Sequence, residues 1–156
     1  MKHYIIDGNN LLGKIPSFKN LQKLNKQVSR EKLAFLLGRY FANKKVSVDL
    51  HFDGYLNEVI KVSGMKINYS GSLTADERIK KEIERIINPK NIIVVTSDGN
   101  LAEFARVCSC SVVKSEDFAK QLLTLNSADE EQTRIDELNS TEEFKKLFGI
   151  KSNDEN

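Results

Sequence analysis

Three aspartates stand where apolar runs of this chain stop. Asp7 follows "YII", Asp53 follows "LHF" and Asp98 follows "IIVVTS", and each is followed by glycine. A fourth, Asp76, lies in "TADERIKKEI", where a helix is expected to begin. Taken singly, each has a structural reading. Asp-Gly is a common turn pair, Asp98 can cap the next helix, and Asp76 suits the positive end of its helix dipole. Taken together, four carboxylates at one edge repel one another unless a cation neutralises them. Oxygen ligands without a supporting cysteine set or histidine trio suit a hard cation, Mg²⁺ or Mn²⁺. Such sites act on phosphate esters: the cation lowers the pKa of water and polarises the phosphoryl oxygen, and no protein nucleophile is needed.

The elements that would have to position these residues alternate between strand and helix. "KHYIID", "KVSVDLHFDG", "MKINYS", "NIIVVTSDGN" and "SVVK" read as strands. The run "IIVV" looks buried on both faces, while Val46, Val48, Leu50 and Phe52 alternate with polar residues. "SREKLAFLLGRYFANK" reads as a helix with Ser29 as N-cap and Leu33, Leu36, Leu37, Tyr40 and Phe41 on one face. "TADERIKKEIERII" reads as another, opened by a Thr74–Glu77 capping box, striped by Ile79, Ile83, Ile86 and Ile87 and stopped by Pro89. "NLAEFARVC" and "SEDFAKQLLTL" read as two more. Such alternation implies an α/β fold with a mostly parallel sheet and helices on both faces, and in such sheets ligands gather outside the carboxyl ends of the strands. The aspartates fall on that edge.

Composition narrows the class. The 156 residues are 40% hydrophobic and 29% charged, ordinary for a soluble globular protein. No run approaches a membrane span, and "MKHYIIDG" enters a strand with no leader-like apolar stretch, so a cytoplasmic location with no membrane partner is expected. Cys108 and Cys110 lack the partners of a metal site and read as reduced structural cysteines. The net charge of +2 is uneven: residues 127–156 hold nine acids and four bases (−5), leaving +7 on residues 1–126. Lys14, Lys19, Lys23, Lys26 and Arg30 recur with little acid between them, either as a solvated face or as a surface for nucleic acid phosphates. Residues 127–156 form a separate acidic segment. Its end reads as a short amphipathic helix with Phe144, Leu147 and Phe148 on one face, expected to dock on its own domain, the alternative being a partner-binding motif.

"IIDGNN", "HFDG", "TADERI" and "TSDGN", in this order, resemble the NYN domain of the PIN-like nucleases, in its YacP-like branch. The likeness covers roughly residues 1–125, and "TADERI" is its most specific piece. It implies a three-layer α/β/α sandwich over residues 1–126 and a metal-dependent endoribonuclease for single-stranded RNA. For this branch it also implies an association with translating ribosomes. Asp7, Asp76 and Asp98 become the expected metal ligands, and Asp53 a ligand or a residue that holds a metal-bound water. Asn10 is expected to hydrogen-bond a carboxylate or the scissile phosphate, and Thr96 or Ser97 to orient Asp98. Wider PIN relatives carry an acid where this chain has Asn100, which is left out of the set.

Other chemistries fit less well. Haloacid-dehalogenase-like phosphatases need a second Asp where Asn9 stands. Neither a G-x-G-x-x-G pattern nor a P-loop is present. His3 and His51 would serve as a metal-free acid–base pair only if the fold brought them together; His51 reads rather as a partly buried strand histidine. The remaining rival is a non-cleaving RNA- or ribosome-binding module on the same fold.

Overall fold

The computed structural model describes residues 1–124. Five strands form one sheet: β1 (Lys2–Asp7), β2 (Val46–Phe52), β3 (Met65–Tyr69), β4 (Ile92–Val95) and β5 (Ser111–Val113). Their order is β3-β2-β1-β4-β5 and every neighbouring pair is parallel. The helices are α1 (Gly8–Leu12), α2 (Pro16–Leu24), α3 (Lys26–Phe41), α4 (Ala75–Glu84), α5 (Gly99–Val107) and α6 over residues 115–124, with a 3₁₀ turn at Pro89–Asn91. The strand order reverses between β1 and β4, the switch point at which an α/β sheet opens a crevice.

Alternation along β2 decides what each face holds. Val48, Leu50 and Phe52 point into one core with Ile6, Leu33, Leu37, Val95 and Phe118, on the side of α1, α3 and α6. Ser47, Asp49 and His51 point the other way, toward α4. There Ile5, Ile79, Ile83, Val94 and Leu101 make a second, smaller core. Two cores on opposite faces of one parallel sheet are the three-layer arrangement that the strand–helix alternation implies. Cys108 and Cys110 are free thiols, as expected, and among the described residues no helix is long and apolar enough to cross a membrane.

Several local expectations are corrected. The third helix begins at Lys26, and its N-cap is Asn25, whose side chain accepts the Val28 N–H. Ser29 lies inside it, fully buried, and its hydroxyl donates to the Lys26 carbonyl. The basic run before it is itself helical, started by Pro16, whose missing N–H costs nothing at a first turn. Thr74 does cap α4, accepting the Glu77 N–H at 3.1 Å, but the helix ends at Glu84, so Ile87 stays exposed outside the stripe. "DGNN" is a helix start rather than a plain turn. The acidic segment 127–156, with Phe144, Leu147 and Phe148, lies outside the described residues.

Candidate active site

Asp7 closes β1 with its side chain nearly buried. Thr96, fully buried just past β4, donates its hydroxyl to Asp7 Oδ2 at 3.1 Å. The same Thr96 Oγ1 accepts the Asp98 backbone N–H at 3.1 Å. One hydroxyl therefore ties the ends of two neighbouring strands. Burial pushes the Asp7 carboxyl up to about 6; the Thr96 hydroxyl and the Asn10 backbone N–H pull against the rise, and the charges of Asp53 and Asp76 add to it. Asp7, Asp53 and Asp76 thus share one field.

Each partner is held by its own device. Asn9 accepts the Asp53 N–H at 2.7 Å, and Asp53 Oδ1 accepts the Ala75 N–H at 2.6 Å, fixing the first turn of α4. Asp76, one residue further, pairs through Oδ2 with Lys80 at 3.1 Å. Its Oδ1 is shielded from solvent and meets no hydrogen-bond donor. Asp98 is exposed and caps α5, its Oδ1 accepting the Leu101 N–H at 3.0 Å. That is the capping role read for it from sequence, and it commits one of the two oxygens.

Asn10 meets the Asp7 carboxylate through its backbone, and its side-chain oxygen is taken up elsewhere. Its Oδ1 is filled by the Ser97 N–H at 2.9 Å and the Ser115 hydroxyl at 2.6 Å, so it locks α1 to the β4–α5 and β5–α6 junctions. Only its backbone reaches the Asp7 carboxylate. Of Thr96 and Ser97, the alternatives for orienting Asp98, it is Thr96 that accepts its N–H; Ser97 donates to Glu116 and accepts the Ser115 N–H. Glu116, with Asn9 and Ser115, is a member of this edge that the sequence reading missed. It too follows a strand end, and the rule that singled out the aspartates would have found it in "VVKSED".

Arg30 leaves the basic face on which the sequence put it. It is 3% exposed, donates to the Asp53 carbonyl at 2.6 Å and the Tyr55 carbonyl at 3.4 Å, and lies over the Phe52 and Tyr69 rings. Lys14, Lys19, Lys23 and Lys26 are exposed. Lys26 lines a cavity of about 120 Å³ with Arg30, Asp53, Gly54, Tyr55 and Asn57.

The residues fit a hard cation in character. A shielded oxygen with no donor costs roughly 1–3 kcal/mol unless something positive meets it, and Asp76 Oδ1 is such an atom. Spacing sets a limit. Among the described residues, no three of the aspartates bring ligand oxygens within 4.8 Å of one another. A cation of the Mg²⁺ type tolerates this, because it keeps several waters and takes one or two carboxylates beside substrate phosphates.

The fold brings His3 and His51 to one carboxylate, Glu82; His51 pairs in register with Asp7 at the edge, and His3 lies lower on the same face. His51 is buried as read, with Nε2 2.7 Å from Glu82 Oε2. His3 Nε2 lies 3.2 Å from Asp49 Oδ2 and 3.7 Å from Glu82 Oε1. Hydrogen bonds to Asp49 and Glu82 raise the His3 imidazole to about 9. Burial works to raise Glu82, yet the hydrogen bonds from His3 and His51 hold it well below the usual carboxylate range. Both rings are taken up by carboxylates, His51 by Glu82 and His3 by Asp49 and Glu82.

The chain matches the family described as the YacP-like NYN domain over residues 4–152. Two solved structures are similar to it, both of Rae1 (YacP) from Bacillus subtilis. A tryptophan-to-leucine mutant shares 22% identity, with a TM-score of 0.71 over 90% of this chain and 85% of that one. The other shares 23%, with a TM-score of 0.69 over 96% and 93%. At that identity the likeness speaks for the fold. No curated protein matches the chain.

Proposed function

The chain belongs to the YacP-like NYN family of PIN-like nucleases, and from that premise we propose that it is a divalent-metal-dependent endoribonuclease, cytoplasmic, cutting single-stranded RNA. Messenger RNA on ribosomes is the proposed substrate setting. The observation that carries the reading is the field that Asp7, at the sheet's switch point, shares with Asp53 and Asp76, together with the shielded, unmet oxygen of Asp76.

Asp7, Asp76 and Asp98 would hold Mg²⁺ or Mn²⁺. When bound, the cation supplies a Lewis acid for the phosphoryl oxygen and a water of lowered pKa. The chain's own residues do the positioning. Thr96 fixes one oxygen of Asp7 and sets the backbone of Asp98. Asp53 pins the first turn of α4 and so aims Asp76. Asn10 acts as a positioning residue that holds the β4–α5 turn against α1. Lys26, at the cavity beside Asp53, would meet the phosphate of a flanking nucleotide.

The test is cleavage of a labelled single-stranded RNA by the full chain with Mn²⁺, with and without ribosomes, beside a calorimetric Mn²⁺ titration. Metal binding with cutting that stops in chelator supports the reading. Mn²⁺ that neither binds nor promotes cutting, while RNA still binds, favours the non-cleaving module.

A further inference from the structure

On the sheet face that carries Asp7, a second group of ligand-type side chains lies lower down. His3 is four residues nearer the start of β1 on the same face, with its Cα about 13 Å from that of Asp7 at strand spacing. Facing it are Asp49 of β2 and Glu82 of α4. Their ligand atoms all lie within 4.8 Å of one another, and all three residues are half-buried.

The distances that make these contacts ion pairs also suit a coordination shell. In a tetrahedron with metal–ligand bonds of 2.0–2.1 Å, ligand atoms stand about 3.3–3.4 Å apart. His3 Nε2 is 3.2 Å from Asp49 Oδ2 and 3.7 Å from Glu82 Oε1. The outer partners are in place as well. The other ring nitrogen of His3, Nδ1, is hydrogen-bonded to the Ser47 hydroxyl, which turns Nε2 toward the two carboxylates. His51 Nε2 holds the second oxygen of Glu82 at 2.7 Å, leaving Oε1 to face His3. Ring nitrogens and carboxylates steadied by such contacts are the usual setting of a protein-bound transition metal. Side-chain exposures of 23% for His3, 16% for Asp49 and 26% for Glu82 leave room for entry and for a water as fourth ligand.

We infer that His3, Asp49 and Glu82 form a second cation site, for a divalent first-row transition metal of the Zn²⁺ class, with Ser47 and His51 as its outer partners. One imidazole with two carboxylates is a nitrogen and oxygen set that such ions accept and that Mg²⁺ does not favour. The site's role is structural. Its ligands come from β1, β2 and α4, the elements that carry or immediately precede Asp7, Asp53 and Asp76. A bound ion clamps the register between them. This holds whether or not the upper edge cuts RNA.

The chain has only two histidines, so their ring signals can be followed without ambiguity. Untagged full-length protein, stripped with chelator, is titrated with Zn²⁺ and followed by ¹⁵N-edited NMR of the imidazoles, by calorimetry and by thermal melting. The His3 ring should take on metal-bound shifts at one equivalent. The melting temperature should rise by roughly 5–10 °C at a hundredfold excess over the dissociation constant. That equivalent should persist in Asp7→Asn, which disables the upper edge, and disappear in His3→Gln/Glu82→Gln. A His3 ring unmoved by excess Zn²⁺ in the folded wild type overturns the inference, and needs no variant to fold. So does a double variant that still binds the same equivalent.

Discussion

Asp7 is the residue on which burial, hydrogen bonding and charge all converge. In the metal-free protein its carboxyl, raised from 3.8 to about 6, is a destabilising element at neutral pH. The sign follows from proton counting. Between those two values the folded chain holds a proton that the unfolded chain has lost, so stability falls as pH rises through the window. Asp7→Asn removes that dependence. It should stabilise the metal-free protein by about 2–3 kcal/mol at pH 7, with the gain gone near pH 4, as melting curves across pH would report. Mn²⁺-dependent cleavage should be abolished by the same change. Equal melting of the two proteins at pH 7 would show that the carboxylate is not strained. Thr96→Val keeps shape and burial but deletes the hydroxyl shared by Asp7 and the Asp98 N–H. A loss of about 1–3 kcal/mol in urea unfolding is expected, with a fall in kcat larger than any change in RNA affinity. Asp7, Asp53 and Asp98 were legible because each follows an apolar run, and Asp76 because it sits in the first turn of a readable helix. Asn9, Asn10 and Arg30 were not, since what each does depends on partners 44, 87 and 23 positions away.

At the scale of elements, the join between β1 and α1 is the tightest point. A Cβ added to Gly8 would stand 2.6 Å from the His51 carbonyl oxygen and 2.7 Å from the Phe52 ring. The carbonyl belongs to the strand paired in register with β1 and cannot retreat without breaking it. Gly8→Ala should therefore cost about 1–3 kcal/mol and lower metal affinity at the neighbouring Asp7; a variant that melts like wild type would refute the close approach. The strand pattern was readable because period-2 alternation and β-branched runs are local signals. Helix α2 was not readable, since none of its residues is buried and its basic run looked like a solvated face. The start of α3 was misplaced because Ser29 matched a cap by type, whereas Asn25 had the free turn before the helix.

For the molecule as a whole, charge and topology matter most. Lys14, Lys19 and Lys23 lie exposed outside the cavity beside Asp53. If all three meet RNA phosphates, replacing them by Ala should flatten the slope of log affinity against log salt by about 2, from roughly 0.7 per contact on a single strand. Binding assays from low to moderate salt measure this, and an unchanged slope returns these lysines to solvent. The class of fold was legible as a whole because the order of strands and helices is written along the chain. Which strands are neighbours was not, and the central place of β1 has a consequence for how the protein is made. Strand β1, made before either neighbour, pairs on one side with β2 and on the other with β4. Between the emergence of Tyr69 and of Val95 lie 26 residues, on the order of seconds at roughly 5–20 residues per second. During that interval a nascent three-stranded sheet has one open flank on β1, a template for mispairing. Thr96 reaches Asp7 across 89 positions of chain, only after that flank is closed. The growing polypeptide therefore carries this edge unassembled until the fourth strand docks and Thr96 can reach Asp7.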